Sequence, residues 1–147
     1  MEKYYTLNEV ALMSGLTTRT LRNHITMGVL KGEKNDGVWR FSAEELGEFF
    51  QNPYVKPSIQ AKKKSIVFDF LKQNKKQTNE MCTIIDINAN LTNAQKISAF
   101  FCEQISNLDG VNIQFSSETF HSCVRVILKG PEEVVMGILN SYYSKEW

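Results

Sequence analysis

Thr17, Thr18, Arg19, Thr20, Arg22 and Asn23 lie within one seven-residue stretch, and Lys31, Lys34 and Arg40 follow shortly after. These side chains donate and accept hydrogen bonds but include no paired nucleophile and base. Arginine can bond both acceptors of guanine, and asparagine both groups on the major-groove edge of adenine. Such residues reach base edges when they stand near the N-terminus of an exposed helix. Thr17, Thr18 and Arg19 fill the first turn of such a helix, and Arg22 and Asn23 continue outward on the second. A helix N-terminus also favours a phosphate through its free N–H groups. Lys31 and Lys34 on one strand of a hairpin, and Arg40 on the other, would grip the phosphates flanking the groove. The chemistry indicated is recognition of double-stranded DNA.

The elements that must hold these residues are legible nearby. Thr6 and Glu9 have the spacing of a capping box, and Leu7, Val10 and Ala11 mark the buried face of a helix ending near Met13. Ser14-Gly15 breaks it, and Leu16 plugs the turn. Thr17 caps a second helix, 17–27, whose apolar Leu21 and Ile25 lie four apart and face inward, and Gly28 ends it. A wing over 29–41 follows, predicted as strands Val29–Lys34 and Val38–Phe41 around Asn35-Asp36-Gly37. Ser42 and Glu45 form a second capping box, opening a helix with Leu46, Phe49 and Phe50 inside and Asn52-Pro53 at its end. His24, at the edge of the buried stripe, and Trp39, on the wing, are expected to pack rather than to touch a base.

The order helix, turn, helix, hairpin, helix carries a resemblance. Gly15-Leu16-Thr17-Thr18-Arg19-Thr20-Leu21-Arg22 resembles the Gly-Val-Ser-x-Arg-Thr-Leu-Arg core of the MerR superfamily of winged helix-turn-helix regulators. Gly28-Val29-Leu30 is similar to the family's Gly-Leu-Leu step into the wing, and Trp39-Arg40-Phe41-Ser42 to the excisionase-like branch. The resemblance covers residues 4–52 and implies a winged helix-turn-helix in which Arg19, Arg22 and Arg40 occupy DNA-contacting basic positions. The chain departs from the family pattern at Asn23 and His24, where aromatic residues are usual, and at the wing arginine, which stands one place later.

Net charge is +1, but it is unevenly spread. Residues 1–79 hold 13 Lys/Arg against 8 Asp/Glu, and residues 80–147 hold 4 against 8. Residues 1–57 balance at 7 and 7, so the cationic excess lies in 58–79, with 6 lysines and 1 aspartate. This suits either a solvated connector helix or one running near DNA phosphate. Ile59, Ile66, Val67, Phe70 and Leu71 recur at helical spacing from Ser58 to Gln73, although Ile66, Phe68 and Phe70 also alternate as in a strand.

Beyond Asn79 the pattern reads strand, helix, strand, strand, helix. The expected pieces are a strand from Cys82 to Ile87, and a helix capped by Thr92 and carrying Ile97, Phe100, Phe101, Ile105 and Leu108. Strands Val111–Phe115 and Ser122–Leu128 follow, then a helix with Pro131 at its first position and Val134, Val135, Ile138, Leu139 and Tyr142 inside. The fold class is therefore α+β, in three segments. These are a winged helix-turn-helix over 1–57, a basic connector over 58–79, and a βαββα domain over 80–147 that is ferredoxin-like without its last strand.

A lone recognition helix reads few base pairs, so a homodimer on a palindromic site is expected, with residues 80–147 as the dimerisation domain. Three alternatives stay open: sensing of a small-molecule effector by that domain, an excisionase-like architectural role, and a protein adaptor. Cys82, Cys102 and Cys123 are spaced by 20 and 21 with no Cys-x-x-Cys, and His121 beside Cys123 is the one candidate chelating pair. Buried thiols are the expectation, with no metal and no cofactor. There is no Gly-rich phosphate loop and no His-Glu-x-x-His. Asp86, Asp109, Glu118, Glu132 and Glu133 read as turn and helix-start residues, so no enzyme is expected. No run of 18 apolar residues exists and the first residues lack a signal-peptide core. With an odd cysteine count, this gives the expectation of a cytoplasmic protein without a membrane span.

Overall fold

The computed structural model describes residues 3–120 and 122–147, apart from the Phe120 side chain; Met1, Glu2 and the candidate ligand His121 lie outside it. The protein is α+β, with two antiparallel three-stranded sheets among the described residues. The chain divides into compact units at 1–63 and 64–147, a boundary that falls inside the expected connector.

The first unit begins with β1 (Tyr4–Tyr5), α1 (Leu7–Ser14) and α2 (Thr18–Thr26). The capping box forms as its spacing requires: Thr6 Oγ1 accepts the Glu9 N–H at 3.1 Å, and Glu9 Oε1 accepts the Thr6 N–H at 3.0 Å. At the turn, Gly15 adopts φ 76° and its N–H returns to the Ala11 carbonyl at 2.9 Å. Buried Ser14 accepts the Leu16 N–H at 3.1 Å, and Leu16 closes the corner from inside.

The hairpin is β2 (Glu33–Asn35) and β3 (Val38–Ser42), in the register Glu33↔Arg40, Lys34↔Trp39 and Asn35↔Val38. Asp36 and Gly37 both have positive φ, 51° and 79°, as a two-residue type I′ turn demands. The first strand is shorter than the expected 29–34. Val29 and Leu30 instead donate their N–H groups to the His24 carbonyl, at 2.9 and 3.1 Å, and so fold back on the end of α2. Gly32 then crosses the ring of buried Phe41, where an added Cβ would stand 2.5 Å from Phe41 Cδ1. β1, too short to show a period, pairs with the far side of β3 through Tyr5↔Phe41. α3 (Ala43–Gln51) starts from the Ser42–Glu45 capping box, and Leu46 and Phe49 join Val10, Met13, Leu21, Leu30, Phe41, Val55 and Ile59 in the core.

α4 (Lys56–Lys72) is one continuous helix, so the strand alternative for 65–72 is not adopted. Of its expected stripe, Ile59 and Ile66 are buried, whereas Leu71 is 71% exposed. Lys76 ends the helix: its Nζ donates to the carbonyls of Phe70 and Gln73 at 2.9 and 2.6 Å. One lysine of the cationic excess thus serves as a C-terminal cap.

The second unit continues with β4 (Glu80–Asn88), α5 (Leu91–Ser106), β5 (Gln114–Phe120), β6 (Cys123–Pro131) and α6 (Glu132–Ser144). The antiparallel sheet has the order β4-β6-β5. Val124, Val126 and Leu128 of the central strand are fully buried. Phe101 of α5 stacks on both Phe115 of β5 and Tyr142 of α6, at 6.4 and 5.1 Å between ring centroids, which places both helices on one face.

Three local expectations need correction. Asn90, not Thr92, caps α5: its Oδ1 accepts the Asn93 N–H at 2.9 Å. Both residues are competent caps, and the end of β4 decides which is used. β5 starts at Gln114 rather than Val111 and runs through Ser116 and Ser117. Both serines are buried, and Ser117 is satisfied by a 2.7 Å hydroxyl pair with Ser98, which hydrophobicity could not reveal. Pro131 closes β6 and caps α6 from outside; the Glu132 N–H is taken by the Asn79 carbonyl at 2.9 Å.

Gly32→Ala should lower the thermal midpoint by the equivalent of about 1–3 kcal/mol, since either Phe41 or the chain must move. Asp86, held below its ordinary value first by its hydrogen bond from Arg125, gives a second test. A carboxylate depressed in the fold stabilises above its unfolded pKa and loses that contribution as pH falls through the folded value. Urea unfolding of Asp86→Asn should therefore differ from wild type at neutral pH and converge with it in acid.

Candidate nucleic-acid interface

α2 has a sharply divided surface. At about 100° per residue, Leu21, His24 and Ile25 fall on one side and Arg19, Arg22, Asn23 and Thr26 on the other. Leu21 is fully buried, His24 and Ile25 are half-buried, and the four opposite residues are exposed. The buried residue therefore dictates that Arg19, Arg22 and Asn23 share one outward face. Thr18 lies on its flank and is half-buried.

Thr17 and Thr20 have a different task. Thr17 Oγ1 accepts the Thr20 N–H at 3.1 Å and donates to Thr20 Oγ1 at 3.0 Å. Their hydroxyls are engaged in capping the helix. Thr26, which the sequence reading omitted, lies on the outward face, but its hydroxyl donates to the Arg22 carbonyl at 3.0 Å. His24 packs as expected: its ring meets Phe49 edge-on, with centroids 5.4 Å apart.

The wing does not bring its three cations together. Residues opposite one another in an antiparallel pair share a face, so Arg40 lies with Glu33, and Lys34 with Trp39. Lys34 Nζ stands 5.7 Å from the Trp39 ring centroid, and Trp39 stacks on Phe41 at 6.2 Å. Lys34 and Arg40 thus occupy opposite faces of the hairpin, and Lys31 belongs to no strand because the chain turns back before Gly32. The expectation that Lys31 shares a hairpin strand with Lys34 is corrected accordingly. A lysine of the cationic 58–79 segment lies close to the first helices instead. A Cβ placed on Gly15 would lie 3.1 Å from Lys62 Cβ, so α4 brings a lysine to the α1–α2 turn. Nothing in the local sequence of 58–63 announces that contact.

Among the described residues, no group of three or more His, Cys, Asp or Glu is placed to hold a metal ion. Cys102 is buried, and Cys82 and Cys123 are half-buried. Burial pushes the Cys82 thiol up, against a smaller lowering by Lys129. Asp86 and Glu118 lie within strands rather than at turns, and Arg125 Nε and an Nη donate to the two Asp86 oxygens at 2.8 and 3.0 Å. No helix among the described residues is long and apolar enough to cross a membrane.

Adjacent residues on opposite faces of α2 should behave differently. Leu21→Ala should cost about 2–5 kcal/mol in denaturant unfolding, and Thr17→Ala about 1 kcal/mol through its cap. Arg22→Ala should leave the unfolding midpoint within about 0.5 kcal/mol of wild type. Comparison of the chain with protein-family models, with curated proteins and with solved structures found no match.

Proposed function

We propose that the protein is a sequence-specific DNA-binding regulator of transcription. In this reading its first unit is a winged helix-turn-helix, and its second a ferredoxin-like βαββα domain without the last strand. The observation that carries it is the outward face of α2, where Arg19, Arg22 and Asn23 stand opposite fully buried Leu21. A helix presenting two arginines and an asparagine in successive turns offers guanine and adenine edges the donors and acceptors they require. Arg40, on the exposed face of the hairpin, supplies a flanking phosphate contact. One such helix reads only part of a site, so the protein acts as a homodimer on two half-sites.

Selection of bound duplexes from a random pool tests this directly. A sequence with two related half-sites should be enriched, and its affinity should fall steeply with salt. Arg22→Ala should weaken binding to the selected sequence by about tenfold to a hundredfold while leaving the protein folded. An unenriched pool, an affinity indifferent to salt, or an Arg22→Ala variant that binds as wild type would each reject the reading.

A further inference from the structure

The two edges of the second unit's sheet are finished differently. On β5, the helix-facing Phe115 and Ser117 are buried at 3% and 7% exposure. On β4, none of the helix-facing residues Met81, Thr83, Ile85 and Ile87 is buried; all four are half-exposed. The opposite face of β4 carries Ile84, 52% exposed, beside Ile127 of β6, which is buried. Among the described strands β4 pairs only with β6. This nine-residue strand has no proline and no lysine, the usual devices that blunt an open edge.

We infer that β4 pairs antiparallel with β4 of a second copy about a two-fold axis at Ile84, joining two three-stranded sheets into one of six. A two-fold normal to the sheet sets one residue of the strand opposite itself, and every other residue opposite its mirror position. Ile84 is the midpoint of Glu80–Asn88, so this register alone pairs the whole strand. It sets Ile84 against the partner's Ile84, Thr83 against the partner's Ile85, and Met81 against the partner's Ile87. The half-exposed apolar residues of each copy thereby cover those of the other. On the outer face an isoleucine row forms, Ile127 and Ile84 followed by the same two residues of the partner.

Charge selects the same register. Centred on Ile84, Asp86 faces the partner's Cys82 and Glu80 faces the partner's Asn88. A centre at Thr83 would set Asp86 against Glu80, and a centre at Asp86 would set that carboxylate against itself, both like-charge pairs. Asp86 is already neutralised within its own sheet by the two hydrogen bonds from Arg125. β5 offers no such match: of its helix-facing residues Phe115 and Ser117 are already covered and Thr119 is polar, and its outer face carries Gln114, buried Ser116 and Glu118.

The interface supplies the second recognition helix that the regulator reading calls for and rests on that reading only for its purpose. The full chain should sediment as a dimer at micromolar concentration. Ile84→Glu, at an exposed position, should raise the dimer dissociation constant by about tenfold or more with an unchanged circular dichroism spectrum. Ile84→Cys combined with Cys82→Ser should form an intermolecular disulfide on mild oxidation, whereas Glu118→Cys on β5 should not. A monomeric wild type, a cross-link through residue 118 but not 84, or a dimer that neither Ile84 variant affects or traps would overturn the inference. A protein that stays monomeric yet enriches a duplex with a single site would sink the interface and the two-half-site arrangement while leaving sequence-specific DNA binding standing. A dimer trapped at Ile84 that enriches no duplex would do the reverse.

Discussion

The burial of Leu21 is the constraint on which the candidate surface depends. A nine-residue helix has no intrinsic up or down. Its orientation comes from the side chain that cannot be left in water, and burying one leucine contributes about 1.5–3 kcal/mol. With Leu21 inside and His24 edge-on to Phe49, the helix cannot rotate without exposing one and burying an arginine. The polar face is thus fixed by the apolar one. The same core reaches the hairpin through Phe41, whose ring lies against Gly32, just before the first strand starts at Glu33 and so beyond Lys31.

Charge counted along the sequence is a poor guide to charge in space. Lys31, Lys34 and Arg40 are near neighbours along the chain. The pleat sends Lys34 to the Trp39 side and Arg40 to the other, and the turn-back of Val29 and Leu30 onto the His24 carbonyl leaves Lys31 outside the ladder. Lys62, distant in sequence, arrives beside Gly15 because α4 packs there. In the excess-lysine segment, Lys76 turns inward to close the end of α4. A run of like charges is thus divided among capping and exposed roles by backbone geometry.

The second unit rests on a similar economy of burial. Its central strand is covered on the helix side, Phe115 and Ser117 are buried on one edge, and the other edge keeps its apolar side chains half in water. The outer face is held in register by the Arg125–Asp86 pair, which is exposed and therefore of modest strength.

Local signals that repeat within one turn of chain were legible from the amino-acid sequence: both capping boxes, the Thr17 cap, the Asp36-Gly37 turn and the inward Leu21. These depend on contacts between residues two to four apart, or on a period that one element displays by itself. The candidate residues Arg19, Arg22, Asn23 and Arg40 were legible for the same reason, being defined by the helix and strand periods. Tertiary structure decided what depends on a distant partner. It paired Tyr4–Tyr5 with β3, buried Ser116 and Ser117 in a strand with no hydrophobic signature, and chose Asn90 over Thr92. It also separated Lys34 from Arg40. A side chain's type fixes what it can bond, but only the packing of segments far apart in the chain fixes which bonds and which faces remain available.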